Sequence, residues 1–187
     1  MENRKTQIID IALRLIMQKG YVAFSYDDIS KQLGVTKASI HYHFEKKEDL
    51  GVAVAERIFQ RLQNIKLLIT DSSLTAKEKL MLFIYKRDEG FTCTEICPIS
   101  SFQADFESLP DIVRQKVEEI SRLELSIMNE IVAEELNKQS VSGAENIQSI
   151  SLMILSSIKG ALIYQRVLGD DVFKEVIKEI DRFLKII

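Results

Sequence analysis

The chain reads SYDDISKQLGVTKASIHYHFEKK over residues 25–47, and this stretch decides the fold. Two short segments with helical apolar spacing flank Gly34, and glycine commonly ends a helix because it adopts the left-handed conformation without a Cβ penalty. Ser25 and Thr36 stand where helix N-caps are expected, since their hydroxyls can accept orphan backbone N–H groups. The pattern predicts two short helices joined by a glycine turn, with the second helix over about residues 36–43.

The second of these helices carries an unusual surface. Ile40 and Phe44 lie four residues apart and are expected to form its buried side. The remaining positions are small, polar, aromatic or cationic, namely Lys37, Ala38, Ser39, His41, Tyr42 and His43. An ordinary αα-hairpin could show the same helix ends. A short second helix with such a face, however, is typical of a helix-turn-helix that enters the major groove of DNA.

Charge is distributed unevenly along the 187 residues, whose net charge is −3. Residues 1–47 hold eight Lys and Arg against five Asp and Glu, which gives +3, so the remaining residues carry −6. A basic head on an acidic body fits a DNA-binding module joined to a part that does not touch DNA. Chance is the alternative explanation of this distribution, because an excess of three charges is small.

Helical periodicity dominates the rest of the chain. With only two prolines and seven glycines, we predict an all-α fold of about nine helices. A long helix over residues 48–69 should link the head to the body. Helices over about 144–168 and 170–187 hold more apolar residues than one buried face requires, which indicates a second surface buried in a homodimer, unless all of it is core.

Several other classes of protein are disfavoured. No window approaches 18 consecutive apolar residues and the N-terminus lacks an apolar signal core, so we expect no membrane partner. Two cysteines without a disulfide framework fit a reducing, cytoplasmic setting. Without nearby histidines they supply half of a tetrahedral metal site, and no phosphate loop, zinc-protease motif or nucleophile elbow is present. We therefore expect no metal, no cofactor, no catalytic residue and no enzyme activity.

The stretch from Gly20-Tyr21 to Leu50 resembles the N-terminal domain of the TetR family of transcriptional repressors. The resemblance rests on the spacing of its motifs, which here are Gly34-Val35-Thr36, Lys37-Ala38-Ser39-Ile40-His41-Tyr42-His43-Phe44 and Lys46-Lys47-Glu48. It implies a helix-turn-helix DNA-binding domain over 1–47 and a ligand-binding and dimerisation domain over 48–187. It further implies a repressor that a small molecule releases from a palindromic double-stranded operator. Tyr26, Ala38 and His41 depart from the family pattern, which should alter the bases that are read.

The same resemblance assigns the residues that contact DNA. Those implied to contact phosphates are Ser25, Thr36, Tyr42, His43 and Lys47. Those implied to face base edges are Lys37, Ala38, Ser39 and His41. Hydroxyls and an ammonium suit phosphate oxygens, and a lysine can reach guanine in the major groove. His43 could instead be a packed structural histidine.

The resemblance implies that the body binds a small effector, and the residues suggested to line its pocket favour an apolar or aromatic one. The residues suggested to line its pocket are Phe83, Tyr85, Phe91, Cys97, Phe102, Phe106, Met128 and Tyr164, any of which could equally be plain core. Cys97 precedes Pro98 and could occupy a helix N-cap, which leaves open a redox- or electrophile-sensing regulator that uses Cys97. A small helical thiol enzyme with Cys93 and Cys97 is a further alternative. Alternatively, Cys97 is only a small buried residue that packs as an apolar side chain.

Overall fold

The structure, a computed structural model, describes residues 3–70, 73–88, 95–138, 146–169 and 171–184. Within these ranges it contains nine α-helices, one 3₁₀ helix and no strand, so the all-α prediction is confirmed. The α-helices are α1 (Arg4–Ala23), α2 (Tyr26–Leu33), α3 (Lys37–His43), α4 (Lys47–Ile69), α5 (Ala76–Asp88), α6 (Pro98–Ala104), α7 (Asp111–Lys138), α8 (Ile147–Leu168) and α9 (Asp171–Leu184). The 3₁₀ helix, Phe106–Ser108, lies between α6 and α7.

Helix ends follow the local capping signals. Gly20 interrupts α1 with φ 88° and ψ 163°, a conformation that favours glycine. Residues 20–24, which we call the connector, then lead into α2. In the described part of the chain α8 begins at Ile147, with Asn146 as its N-cap, and α9 covers Asp171–Leu184. The predicted extra residues 144, 145, 170 and 185–187 lie outside the described part of the chain.

The chain divides into two compact units. The first consists of Met1–Gln60 and Cys97–Ile120, and the second of Arg61–Ile96 and Ser121–Ile187. The segment after residue 97 therefore folds together with the N-terminal helices. The predicted functional division at residue 47 is a different kind of boundary, and it stays a prediction.

The first unit is built around α1. Ile8 and Ile16 of α1 are completely buried, as is Ile29 of α2. Helix α6 packs on α1, and the hydroxyl of Ser101 donates to the carbonyl of Ile16 at 2.5 Å. These buried apolar side chains and this hydrogen bond together hold the N-terminal helices in place.

The second unit combines an apolar core with a buried ion pair. Phe83 of α5, Met128 of α7 and Ile158 of α8 are completely buried. The ammonium of Lys159 lies 2.5 Å from the carboxylate of Glu124, which joins α8 to α7. Helix α9 packs along α8, so these last two helices form a pair.

Candidate nucleic-acid interface

Helices α2 and α3 are fixed at their ends by a set of local hydrogen bonds. The hydroxyl of Ser25 accepts the N–H of Asp28 at 3.3 Å, and the Asp28 carboxylate accepts the N–H of Ser25 at 2.8 Å. Gly34 ends α2 in the left-handed conformation, with φ 64° and ψ 35°. The hydroxyl of Thr36 accepts the N–H of Ser39 at 3.3 Å. The predicted caps and the predicted glycine turn are confirmed.

Asp28 does more than cap its helix. Its carboxylate also pairs with the ammonium of Lys19 at 2.8 Å. Hydrogen bonds from Lys19 and from Ser25 lower the pKa of Asp28 to about 2, so the carboxylate stays ionised at neutral pH. An ionised side chain at this position also suits the positive end of the α2 dipole. The start of α2 is therefore tied to the end of α1.

Three buried side chains fix the position of α3. Ile40 and Phe44 are buried as expected, and Tyr26 of α2 is buried with them. The hydroxyl of Tyr26 donates to the carbonyl of Phe44 at 3.0 Å. Burial raises the pKa of Tyr26, so the phenol remains a neutral donor. Tyr26 therefore holds the end of α3, and its departure from the family pattern cannot act through a direct base contact.

The outer face of α3 is open to solvent. Lys37, Ala38 and His41 are exposed, while Ser39 and His43 are partly exposed. Tyr42 is the extreme case, because 86% of its surface is accessible. A large aromatic side chain so exposed on a helix of seven residues is poorly explained by folding alone, since burial would stabilise it. The predicted contact residues of α3 are therefore wholly or partly accessible, around the sides of the helix away from the buried Ile40.

Some side chains on this face are already restrained. The ammonium of Lys37 pairs with Asp27 at 3.2 Å. The Nδ1 of His41 lies 3.1 Å from the carbonyl oxygen of Glu45, and its ring meets the Tyr26 ring edge-on, with centroids 4.7 Å apart. Because a carbonyl can only accept, Nδ1 carries a proton in this contact, which leaves Nε2 as the acceptor of the neutral ring.

Lys47, at the start of α4, is held by the connector. Its ammonium donates to the carbonyl of Val22 at 3.0 Å. The same group lies 4.9 Å from the ring centroid of Tyr21 and 4.5 Å from that of Phe24. Burial lowers the pKa of Lys47. The sequence predicts that Lys47 contacts a phosphate, but its short-range pattern does not indicate the carbonyl and the two rings that surround the ammonium.

The predicted effector pocket is distributed over both units. Phe83 and Met128 are buried in the second unit, whereas Phe102 is buried in the first, where its ring centroid lies 5.8 Å from that of Tyr21. Phe106 is partly buried in the first unit, while Tyr85 and Tyr164 of the second unit are exposed. Phe91 lies outside the described residues. Neither unit alone brings these side chains together, and the pocket stays a prediction.

The thiol alternatives receive no support from the geometry. Cys97 is the N-cap residue of α6, as expected, but its side chain makes no capping hydrogen bond and is 1% exposed. Such burial fits a small apolar core residue. Cys93 lies outside the described residues. Among the residues that the structure describes, no group of three or more His, Cys, Asp or Glu could hold a metal ion.

Helix α8 exposes a broad apolar surface. Its exposed large apolar residues are Leu152, Met153, Ile163, Tyr164, Val167 and Leu168. With α9 it also lines a groove of about 730 Å³ that includes Met153, Val176 and Phe183. By length and composition α8 could cross a membrane, since the mean hydropathy of its most apolar window is 1.4, but the core helix of a soluble protein passes the same test. Only 33% of that window is buried within the chain, so most of it faces outward.

Known proteins share both the sequence and the fold. The family described as "Bacterial regulatory proteins, tetR family" matches residues 8–54. The crystal structure of a TetR transcriptional regulator from Legionella pneumophila is 32% identical, with 98% of each chain covered and a TM-score of 0.79. The fatty acid metabolism regulator protein of Bacillus subtilis (strain 168) is 28% identical over 157 residues, which are 81% of this chain and 78% of that protein. A crystal structure of the transcriptional regulator FadR from Bacillus subtilis, in complex with stearoyl-CoA, is 25% identical over 98% of this chain and 97% of that one, with a TM-score of 0.68.

The capped helix pair, the open face of α3 and these matches define a DNA-binding regulator of the helix-turn-helix class. The chain belongs to the TetR family of transcriptional regulators. The family resemblance noted from residues 20–50 is thereby confirmed, and the matched structures extend it over nearly the whole chain.

Proposed function

We propose that this chain is a cytoplasmic, homodimeric repressor that binds a palindromic operator and leaves it when an apolar small molecule binds the body. The observation that carries the proposal is the outer face of α3. This face is exposed and polar, and it belongs to a short helix whose other side is anchored by Ile40. A helix of this kind can enter the major groove without disturbing the core behind it.

Each predicted DNA contact has a physical role in this proposal. The hydroxyls of Ser25, Thr36 and Tyr42, the ring of His43 and the ammonium of Lys47 would bind phosphates, which position the protein. Lys37, Ala38, Ser39 and His41 would face base edges, which supply specificity. In the free protein the hydroxyl of Ser25 donates to Asp28 at 2.7 Å. Its phosphate contact would therefore require that proton to turn away from the carboxylate.

The dimer would form through α8 and α9. A partner pair of the same two helices would cover the apolar groove and the outward face of α8, which are costly to leave in water. A two-fold dimer would also present two copies of α3 to the two halves of a palindrome. The DNA-binding domain would be residues 1–47, and the ligand-binding and dimerisation domain would be residues 48–187.

The effector would carry a long apolar chain. The second unit offers an apolar interior around Phe83 and Met128, and a similar regulator from Bacillus subtilis holds stearoyl-CoA. We therefore choose stearoyl-CoA as the first ligand to test. Free coenzyme A is its matched control, because it has the same headgroup without the chain. Release of DNA by both compounds, or by neither, would contradict an acyl-chain effector.

The central experiment measures DNA binding by fluorescence anisotropy, using the DNA directly upstream of the gene for this protein. Binding should weaken steeply as salt rises, because phosphate contacts release counterions. Tyr42→Ala should weaken binding about tenfold, the loss expected of a contact worth about 1.4 kcal/mol. Tyr42→Phe, which keeps the ring and removes only the hydroxyl, should lose less. Equal affinity of wild type and Tyr42→Ala would contradict the assigned face.

A second experiment tests the dimer by sedimentation. Met153→Asp places a charge in the α8–α9 groove and should shift the protein from dimer to monomer, with weaker operator binding as a consequence. Ile112→Asp is the matched control, since Ile112 is similarly exposed, 53% against 46% for Met153, but lies on α7 in the first unit. A monomeric wild-type protein, or dissociation by both variants alike, would count against the proposed interface.

A further inference from the structure

Val22, in the connector, links two charged side chains that are far apart in the sequence. Its N–H donates to the carboxylate of Asp105 at 3.1 Å. Its carbonyl accepts the ammonium of Lys47 at 3.0 Å. Asp105 directly follows α6 and lies 83 positions after Val22 in the chain. The backbone of one residue therefore connects Asp105 to Lys47.

Gly20 shows how closely Asp105 fits against the connector. A Cβ atom built on Gly20 would lie 2.8 Å from Oδ2 of Asp105, closer than real Cβ contacts. The backbone at Gly20 has a φ of +88°, which side chains other than glycine rarely tolerate. The carboxylate thus occupies the space that a side chain would take, and it is in place to bind the Val22 N–H.

Lys47 depends on the connector for its position. The carbonyl and the two rings that surround its ammonium belong to residues 21, 22 and 24. Burial lowers the pKa of Lys47, and the negative charge of Asp105 opposes that shift. Lys47 and Val22 also line a surface depression of about 360 Å³ together with Ser108. Lys46 and Glu48 line the same depression, which we take as the side from which a phosphate would reach this ammonium.

We propose that Asp105 is a positioning residue for DNA binding: it holds the backbone of Val22, and so fixes the connector from which Lys47 presents its ammonium to a DNA phosphate. The inference rests on the proposed function, in which Lys47 contacts phosphate. It assigns a DNA-binding role to an acidic residue that lies well outside the helix-turn-helix. By charge alone, an aspartate near DNA would repel it.

Repulsion of DNA by Asp105 and positioning of Lys47 by Asp105 act on the affinity for DNA in opposite directions, which makes the proposal testable. Removing a negative charge near DNA should tighten binding, because it removes repulsion. Removing a group that positions Lys47 should weaken binding and lower its salt dependence, because a phosphate contact is lost. The direction of the change in affinity therefore separates a positioning role from a simple charge effect.

The experiment measures affinity for the operator fragment over a series of salt concentrations. Asp105→Ala should weaken binding about three- to tenfold and lower the slope of log K against log salt by up to about 0.9 per protomer, as for one phosphate. Asp105→Asn keeps an oxygen that can accept the Val22 N–H and removes the negative charge, so it should bind at least as tightly as wild type. In a Lys47→Met background, Asp105→Ala should weaken binding no further, because both changes remove the same contact.

Glu107→Ala is the matched control, because Glu107 is an exposed acid two residues further along. It should leave affinity unchanged or raise it. The inference would be overturned if Asp105→Ala bound DNA as tightly as Glu107→Ala. It would also be overturned if Asp105→Ala weakened binding by the full amount in the Lys47→Met background. If wild type bound no specific fragment, the proposed function itself would fail.

A measurement without DNA tests the underlying hydrogen bond separately. The Val22 amide of the free protein should exchange its hydrogen faster in Asp105→Ala than in wild type, and no faster in Glu107→Ala. Unchanged exchange in Asp105→Ala would show that this carboxylate does not hold the connector, whatever the affinity for DNA.

Discussion

The ion pair between Glu124 and Lys159 allows a quantitative stability prediction. Their side chains are 2% and 16% exposed, and the charged atoms lie 2.5 Å apart. Removing one partner of such a pair leaves an uncompensated buried charge, which costs about 3–5 kcal/mol. Lys159→Met removes the ammonium that pairs with the more deeply buried member, Glu124. We expect the free energy of unfolding to fall by about 3 kcal/mol, the lower end of that range, because water still reaches part of this site.

Urea unfolding followed by far-UV circular dichroism measures this loss. All variants are compared at the same protein concentration, since the proposed dimer would link stability to concentration. Adding Glu124→Leu to Lys159→Met should restore part of the stability, because both charges of this pair are then removed. Lys174→Met is the control, since the pair of Lys174 with Asp171 is 75% and 88% exposed and should contribute less than about 1 kcal/mol. A loss of under about 1 kcal/mol for Lys159→Met would refute this reasoning. So would a double variant whose loss in free energy of unfolding equals the sum of the losses for Lys159→Met and Glu124→Leu alone.

Three further predictions concern the first unit. Ser25→Ala should lower the free energy of unfolding by about 1 kcal/mol, because it removes the hydroxyl that caps α2, and Ser25→Thr should lose less in the same urea titration. The pKa of Asp28 is lowered from 3.8 to about 2, so the contribution of its carboxylate to stability is complete above pH 3.8 and is lost as the pH falls towards 2. In an acid titration, the free energy of unfolding of Asp28→Asn should therefore depend less on pH in that window than that of wild type. Gly51→Ala should lower the melting temperature, because its Cβ would lie 2.7 Å from the ring of Tyr21 and overpacking costs about 1–3 kcal/mol; a melting temperature at or above that of wild type would show that the ring can yield.

The features that were predictable from the sequence are those fixed by near neighbours in the chain. Ser25 caps a backbone group three residues away, and Thr36 does the same. Gly34 ends its helix through its own backbone conformation. The inward direction of Ile40 follows from helical spacing. Each of these signals fits within a few residues, so the helix-turn-helix could be derived before any tertiary contact was known.

The features that sequence reasoning missed depend on distant contacts. Helical spacing indicates which face of a helix is buried but not which helix covers it. The spacing therefore gives no sign that the Phe102 ring packs with that of Tyr21, and the predicted place of Phe102 in a pocket stays a prediction. The sequence also gives no sign that the hydroxyl of Tyr26 donates to the carbonyl of Phe44 at the end of α3. No short-range sequence pattern indicates the role of Asp105, because its partner Val22 lies 83 residues away.

The division of the chain at residue 47, drawn from charge and resemblance, concerns which part touches DNA. What keeps that part folded is a separate question. A three-helix segment of 47 residues is near the lower limit for a stable domain, because a chain so short buries only a modest share of its surface. Residues 97–120 belong to the same compact unit and supply Ile99, Phe102, Leu109 and Val113, all buried. The DNA-reading helices therefore share their core with residues that charge alone would assign to the body, and Asp105 belongs to that same shared segment.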